Sequence, residues 1–270
     1  MPVLSDRCGL DELFLGRRVS DAERGRLALG AGWPRRWTAT WQAPGGDVTC
    51  TVRDLGSVPP AECEPVRRFS WGRRQRHRPG LQFMVSTGRL HGFESLEEQS
   101  LLLALDFAGA ADVLPQPFTL RFEAAGGGFS EHVPDFLAMF GDGSRWLFDV
   151  RPARLVKDDD ATCFAAAAEA ALSAGWRYSV AAGWRANVRP GLDALSAQRR
   201  PLDDRLGLRD GLLRAVSPGP VAFGDLVTAV PLPAVARAHA LHLLWHRRLG
   251  TDLSRSLGDA SPVWAAGGNG

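Results

Sequence analysis

The chain has 270 residues, 45% hydrophobic and 23% charged, with a formal net charge of +2, as in an ordinary soluble globular protein with room for two domains. No apolar run approaches the roughly 20 residues that span a bilayer, and the start Met1-Pro2-Val3-Leu4-Ser5-Asp6 does not read as a signal peptide. A cytoplasmic protein without a membrane partner is expected.

The four cysteines, Cys8, Cys50, Cys63 and Cys163, have no CxxC spacing and read as reduced thiols rather than zinc ligands. Lys157 is the only lysine among the 32 basic residues. Arginine richness alongside abundant alanine and glycine reflects a GC-rich genome and is not counted as a sign of DNA binding.

In chain order, Trp37–Trp41 and Val48–Val52 alternate around Pro44-Gly45-Gly46, which predicts a hairpin or small meander in a β-rich segment over 1–65. From Val66 to Arg89 the chain turns basic and loop-like. Arg73, Arg74 and Arg76 lie near Phe69 and Trp71, and Arg89 and His91 follow; such interleaving suits phosphate contact and base stacking, or simply a solvated loop. A helix is predicted from about Glu94 to Phe107. Stepping back from Leu101, Leu102 and Leu105 at 3.6 spacing reaches Glu98 and then Glu94, while Glu97 points toward the face of Ser100 and Ala104. A glutamate on the buried stripe calls for a metal ion or a cation; for Glu94, the helix dipole is reason enough.

Leu114–Phe122 reads as a strand, followed by a turn at Gly126-Gly127-Gly128. Pro134–Arg151 reads as a hairpin: Phe136–Phe140 out, Gly141–Ser144 turning, Trp146–Phe148 back. If Asp142-Gly143 is the turn, opposed residue numbers sum to about 285 and Asp135 faces Val150; a bulge shifts this by one. Asp149 and Arg151 share a face. Two carboxylates and a cation therefore meet at one sheet edge. Asp158–Asp160 are expected to cap a helix over Ala161–Ala174, and Trp176–Val180 forms a further strand.

Beyond Arg185, Asn187–Pro201 reads as a linker. Helical patterns follow over Asp203–Val216, Val221–Val230 and Pro233–Leu249, then a strand-like tail, Gly250–Trp264; three helices and a hairpin read as a winged helix. His239, His242 and His246 share one helix face. No Cys or acid joins them at ligand spacing, so a polar face with Arg237, Arg247 and Arg248 for DNA or a protein partner is favoured over zinc.

Pro-Asp, a hairpin, then acid-x-cation is the layout of the PD-(D/E)xK nuclease superfamily, with Arg151 where lysine is usual. From Thr87 to about Val180 the chain resembles TnsA-like endonuclease subunits of heteromeric transposases, a branch of that superfamily. The stretches that carry the resemblance are Thr87–His91, Glu94–Glu98 leading to Leu105-Asp106-Phe107, Gln116-Pro117-Phe118, Pro134–Leu137, Asp142-Gly143 and Asp149–Pro152.

The resemblance implies an α/β fold: a restriction-endonuclease-like core (helix, three strands, helix, strand) over 66–185 and a winged-helix-like α+β domain over 186–270. It places the acid triad on Glu98, Asp135 and Asp149, the last being Gln in some members, and the lysine on Arg151. The implied activity is Mg²⁺-dependent (or Mn²⁺-dependent) nicking of one strand, at the 5′ end, at transposon ends. Implied partners are DNA, a DDE-type transposase subunit and an AAA+ ATPase regulator. Gln116 and Lys157 stand as accessory residues. The alternatives are a restriction- or repair-type nuclease on the same core, and a degenerate nuclease fold serving as an assembly factor.

Overall fold

The computed structural model describes residues 1–67 and 79–267. It is mixed α/β with several sheets, and divides into two compact units. One is Gly16–Gly183; the other joins Met1–Leu15 to Trp184–Gly270. This differs from the expected three consecutive segments. Residues beyond Gly16 in the amino-terminal segment pair into the larger unit, whereas the first few bond to the carboxyl-terminal part. Val3 donates its N–H to Asp252 Oδ1 at 3.0 Å, and Ser5 donates to the Thr251 carbonyl at 2.9 Å.

Strand β1 (Phe14–Arg17) runs across the Leu15–Gly16 boundary, and two one-turn helices follow in the larger unit, α1 (Asp21–Arg24) and α2 (Trp33–Arg36). The alternating tryptophan segment forms the hairpin of β2 (Thr38–Ala43) and β3 (Gly46–Thr51). A two-stranded ribbon, β4 (Gly80–Met84) and β5 (Arg89–Phe93), leads into helix α3 (Leu96–Phe107). Ser95 is its N-cap, so α3 starts two residues after Glu94. The helix buries Ser100 and Ala104 as well as Leu101, Leu102 and Leu105, so Glu97 also lies on an enclosed side.

The strand expected over Leu114–Phe122 is two strands, β6 (Asp112–Pro115) and β7 (Thr119–Glu123). Gln116 takes a left-handed φ of 44° and Pro117 has no N–H to donate, so the chain leaves one sheet there and enters another. Strand β7 pairs with β2 and with β8 (Phe129–His132), giving a sheet in the order β3-β2-β7-β8. The chain then returns as β9 (Phe136–Met139) and β10 (Arg145–Val150), followed by helix α4 (Asp158–Ser173) and strand β11 (Arg177–Trp184). These complete a five-stranded sheet, β1-β11-β10-β9-β6, in which β10 and β11 are parallel. Around this sheet the order is α3, β6, β9, β10, α4, β11, with the β7–β8 hairpin diverted to the second sheet.

Helix α4 begins earlier than expected. Asp158–Asp160 lie in its first turn, and Lys157 is the N-cap, its N–H bonded to Asp160 Oδ2 at 2.9 Å. Its alanines, with no side chain beyond Cβ, let the helix approach both sheets closely. Ala165–Ala167, Ala170 and Ala171 share one core with Trp37, Trp41, Phe118, Phe122, Leu137 and Leu147. Gly175, at φ 72°, supplies the left-handed residue just beyond the helix end.

In the smaller unit, the expected linker contains helix α5 (Val188–Ser196), with Val188, Leu192 and Leu195 buried at i, i+4 and i+7. Pro190 is tolerated because N–H groups in a first turn have no intrahelical partner. Helix α6 (Leu208–Ala215), strand β12 (Val221–Ala222), helices α7 (Phe223–Thr228) and α8 (Pro233–Trp245), and strands β13 (Leu249–Gly250) and β14 (Pro262–Ala265) follow. The strands pair in the order β12-β14-β13.

The three histidines of this unit do not form an outward polar face. His239 and His242 are buried; His242 Nδ1 lies 2.8 Å from the Gln198 carbonyl, and His246 Nε2 lies 3.1 Å from that of Arg199. His242 and His246 tie the end of α8 to the segment after α5, while His239 Nδ1 accepts from Arg209 Nε of α6 at 3.4 Å. The four cysteines are free thiols. Among the described residues, no helix is long and apolar enough to cross a membrane.

Candidate functional site

The hairpin β9–β10 sets the geometry. Its paired residues, Phe136 with Phe148 through Met139 with Arg145, sum to 284 rather than 285, so continuing the register places Asp135 opposite Asp149. The one-residue difference arises in the turn, where Phe140 bonds Ser144 across it and Gly143, at φ 83°, sits inside. Asp135 donates its N–H to the Phe148 carbonyl at 2.9 Å, and its Oδ2 accepts the N–H of Val150 at 2.6 Å. The first acid is therefore bonded to the backbone of the strand that bears the second.

Glu98, Asp135, Asp149 and Arg151 line one cleft of about 560 Å³, with Glu94, Glu97, His132 and Asp160 also on its walls. Glu98 reaches it from the first turn of α3. One of its oxygens accepts from Ser95 Oγ and the other from Glu94 N–H, each at 2.8 Å, while Ser95 Oγ accepts from Glu98 N–H at 3.2 Å. Ser95-Leu96-Glu97-Glu98 is thus a variant of the S-x-x-E capping pattern, a signal present in the sequence that explains the glutamate without a metal. The charges still interact. Burial, then the neighbouring Asp149 and Glu98 carboxylates, raise the Asp135 pKa well above the ordinary carboxylate value.

Asp149 is only 2% exposed, and each of its oxygens has a side-chain partner. His132 Nε2 lies 2.8 Å from Oδ1, and the Tyr178 hydroxyl donates to Oδ2 at 2.6 Å. Burial alone would lower the His132 pKa, but the Asp149 charge and hydrogen bond outweigh it and hold the pKa at about 10. His132 is therefore an imidazolium at neutral pH, paired to Asp149. Burial and the same carboxylate push Tyr178 well above 10, keeping its hydroxyl protonated as a donor.

His132, Tyr178 and Asp160 escaped the sequence reading. Tyr178 had a usable signal. Asp149 pairs with Val180 in the parallel β10–β11 register, so Tyr178, two residues earlier, falls on the same face. His132 ends β8, a strand of the other sheet, and nothing local in the sequence places it against Asp149.

Arg151 lies on the cleft wall, with Nε 3.3 Å from both the Leu155 carbonyl and Asp160 Oδ2. Arg154 adds a second, exposed cation at the rim. Lys157 is exposed at the start of α4 and belongs to that helix end rather than to the cleft wall. Gln116 is buried beside Asp135, its N–H donating to the Asp135 carbonyl at 2.8 Å, while its side-chain Oε1 is enclosed without a hydrogen-bond partner.

The basic residues expected to touch DNA separate. Arg73, Arg74 and Arg76 lie outside the described residues. Arg89 is exposed and ion-paired with Asp112. His91 is buried, with Nε2 2.8 Å from Thr87 Oγ1, and burial lowers its pKa. A neutral, enclosed imidazole does not serve as a phosphate contact. Its position on β5 explains why: His91 pairs with Gln82 of β4, and Gln82, Met84, His91 and Phe93 are all buried on one face of the ribbon.

Among the described residues, no three acidic, histidine or cysteine side chains stand close enough together to hold an ion as they lie. Glu98 is turned to its helix end and Asp149 to His132 and Tyr178. The donor chemistry nevertheless suits a hard divalent cation: Glu98, Asp135 and Asp149 are among six carboxylates lining one cleft, and burial, then the other two of these three, destabilise Asp135 in its charged form. No protein-family model matches the chain, and no curated protein matches it.

Proposed function

We propose that the chain is a metal-dependent DNA endonuclease, the subunit of a heteromeric cut-and-paste transposase that nicks one strand at each transposon end. The observation that carries this reading is that Glu98, Asp135 and Asp149 line one cleft, where burial and then the other two carboxylates disfavour the ionised form of Asp135. Carboxylates brought together at that cost are neutralised by a divalent cation. Glu98, Asp135 and Asp149 would hold Mg²⁺ or Mn²⁺, which supplies Lewis-acid polarisation of a phosphate and a lowered pKa for a bound water. Arg151 binds the scissile phosphate through its planar donor fork, anchored from behind by Asp160, and Arg154 adds positive potential at the rim. An arginine gives up no proton near neutral pH, so Arg151 acts as a fixed cation and not as a base.

The order α6, β12, α7, α8, β13, β14, with the strands arranged β12-β14-β13, supports a winged helix in the smaller unit. In this reading that unit engages DNA and the partner subunits, a DDE-type transposase and an AAA+ ATPase. The test is to incubate the purified chain with its transposase and an end-bearing duplex in Mg²⁺. Nicking of one strand at the ends, abolished by chelator, is expected.

A second reading is favoured by one observation. The engagement of Glu98 with its helix end and of Asp149 with His132 and Tyr178 suits a degenerate nuclease fold that serves in assembly. Mn²⁺ titration separates the two: a catalytic site binds the ion and Asp135→Ala abolishes binding, whereas an assembly factor binds none.

A further inference from the structure

Asp149 is the most enclosed acid of the cleft, and its two oxygens are both held by side chains, one from the neighbouring strand β11 and one from β8 of the other sheet. An ionised carboxylate offers about four acceptor positions. His132 takes one on Oδ1 and Tyr178 one on Oδ2, so each oxygen keeps one position and the carboxylate plane is fixed by two bonds from different directions. Both partners are themselves held. Tyr178 sits in β11, hydrogen-bonded along β10. The His132 ring stands edge-on to Phe164 of α4, with centroids 6.3 Å apart, and Phe164 is buried.

Resting on the reading of this cleft as a divalent-cation site, we propose that His132 and Tyr178 are positioning residues that orient Asp149 toward the ion. Neither touches the reacting atoms. Their work is to hold a carboxylate in one orientation at the end of a strand, where a free side chain would sample several rotamers. Outer partners of this kind are usually worth about 10- to 100-fold in metal affinity. Gln116 is no such partner: its enclosed Oε1 has no hydrogen bond, to Asp149 or to anything else described.

The test is Mn²⁺ binding to the full chain by calorimetry, with nicking followed in parallel as Mn²⁺ is varied. The variants are Tyr178→Phe, His132→Gln and His132→Ala, with Asp135→Ala as the control. Tyr178→Phe removes one hydroxyl without changing shape, and His132→Gln keeps an N–H donor. Tyr178→Phe is expected to weaken Mn²⁺ binding about tenfold and to raise the Mn²⁺ concentration for half-maximal nicking by a similar factor. His132→Ala should lose more, and His132→Gln should recover part of that loss. Wild-type Mn²⁺ affinity in folded Tyr178→Phe and His132→Ala would overturn the positioning role while leaving the metal site standing. No Mn²⁺ binding by the wild type, or unaltered binding by Asp135→Ala, would remove the metal site itself and the inference with it.

Discussion

The N–H of Val150 donates to Asp135 Oδ2 at 2.6 Å, so the first acid of the hairpin is bonded to the residue directly after the second. That bond makes the spacing of Asp135 and Asp149 a property of the sheet rather than of two mobile side chains. It also fixes the two carboxyl groups near each other within the cleft.

The linkage of proton binding to stability follows. An acid whose pKa is higher folded than unfolded binds its proton more tightly in the folded state. Its contribution is full at acidic pH and is lost as pH rises through the folded value. Asp135 is such a group. His132, raised from 6.5 to about 10, acts in the same direction, contributing fully below 6.5 and losing its contribution as pH rises toward about 10. Metal-free protein should therefore lose stability as pH rises from the ordinary carboxylate value of 3.8 toward about 10. Asp135→Asn should flatten the acidic part of that decline, and His132→Gln the alkaline part. Thermal unfolding across this range checks it: at neutral pH Asp135→Asn should melt above the wild type. An unchanged profile in both variants would mean that neither charge is under strain.

Glu98 has two roles that substitution separates. Glu98→Ala removes the side-chain bonds that complete the Ser95 capping pattern and should cost about 1 kcal/mol of stability. Glu98→Gln keeps an acceptor for Glu94 N–H and removes the charge, so it should melt near the wild type yet lose most Mn²⁺-dependent nicking. Full activity in Glu98→Gln would leave Glu98 as a helix cap alone.

How much of this was readable beforehand differs from element to element. The hairpin, α3, α4 and the acids on them follow from local patterns: alternation, a triplet of leucines, a glycine-rich turn. The split at Gln116 was not legible, because Leu114–Phe122 alternates as one strand would. Only its pairing with two different sheets shows that a left-handed Gln116 and Pro117 form a corner. Helix α5 was hidden by Pro190 and Gly191, which resemble linker residues, although Val188, Leu192 and Leu195 carry the helical period. His239 and His242 of α8 read as polar and turned out to be buried, whereas His246, just past the helix, is exposed. His132 meets Asp149 only through tertiary packing, beyond what any local pattern specifies.

The division into two units makes a prediction about truncation. Removing residues beyond Gly183 while keeping Met1–Leu15 leaves Val3 and Cys8, buried in the intact chain, without the partner segment around Thr251 and Asp252. A chain of residues 16–183 should unfold cooperatively and stay soluble, and a chain of residues 1–183 should aggregate more readily. Light scattering and thermal melts compare them. Equal solubility and equal melting would mean that the first residues do not depend on the carboxyl-terminal unit.

The Arg151 guanidinium is tied to Asp160. As a fixed cation it can be replaced by another: Arg151→Lys should retain substantial nicking in Mg²⁺, and Arg151→Ala should lose most of it. Because Arg151 is partly exposed at the cleft wall, thermal stability should move by less than about 1 kcal/mol in either variant. Loss of activity in Arg151→Lys equal to that in Arg151→Ala would show that the planar fork, not the charge, is what the phosphate requires.

The most direct measurement compares wild type with Asp135→Ala in nicking a transposon-end duplex, with the cognate transposase and Mg²⁺ present. The wild type should cut one strand at each end, and Asp135→Ala, folded and still assembling with its partners, should lose nearly all of that cutting. Equal cutting by the two proteins would contradict the account, because the cleft that joins Glu98, Asp135 and Asp149 would then not be where the bond is broken.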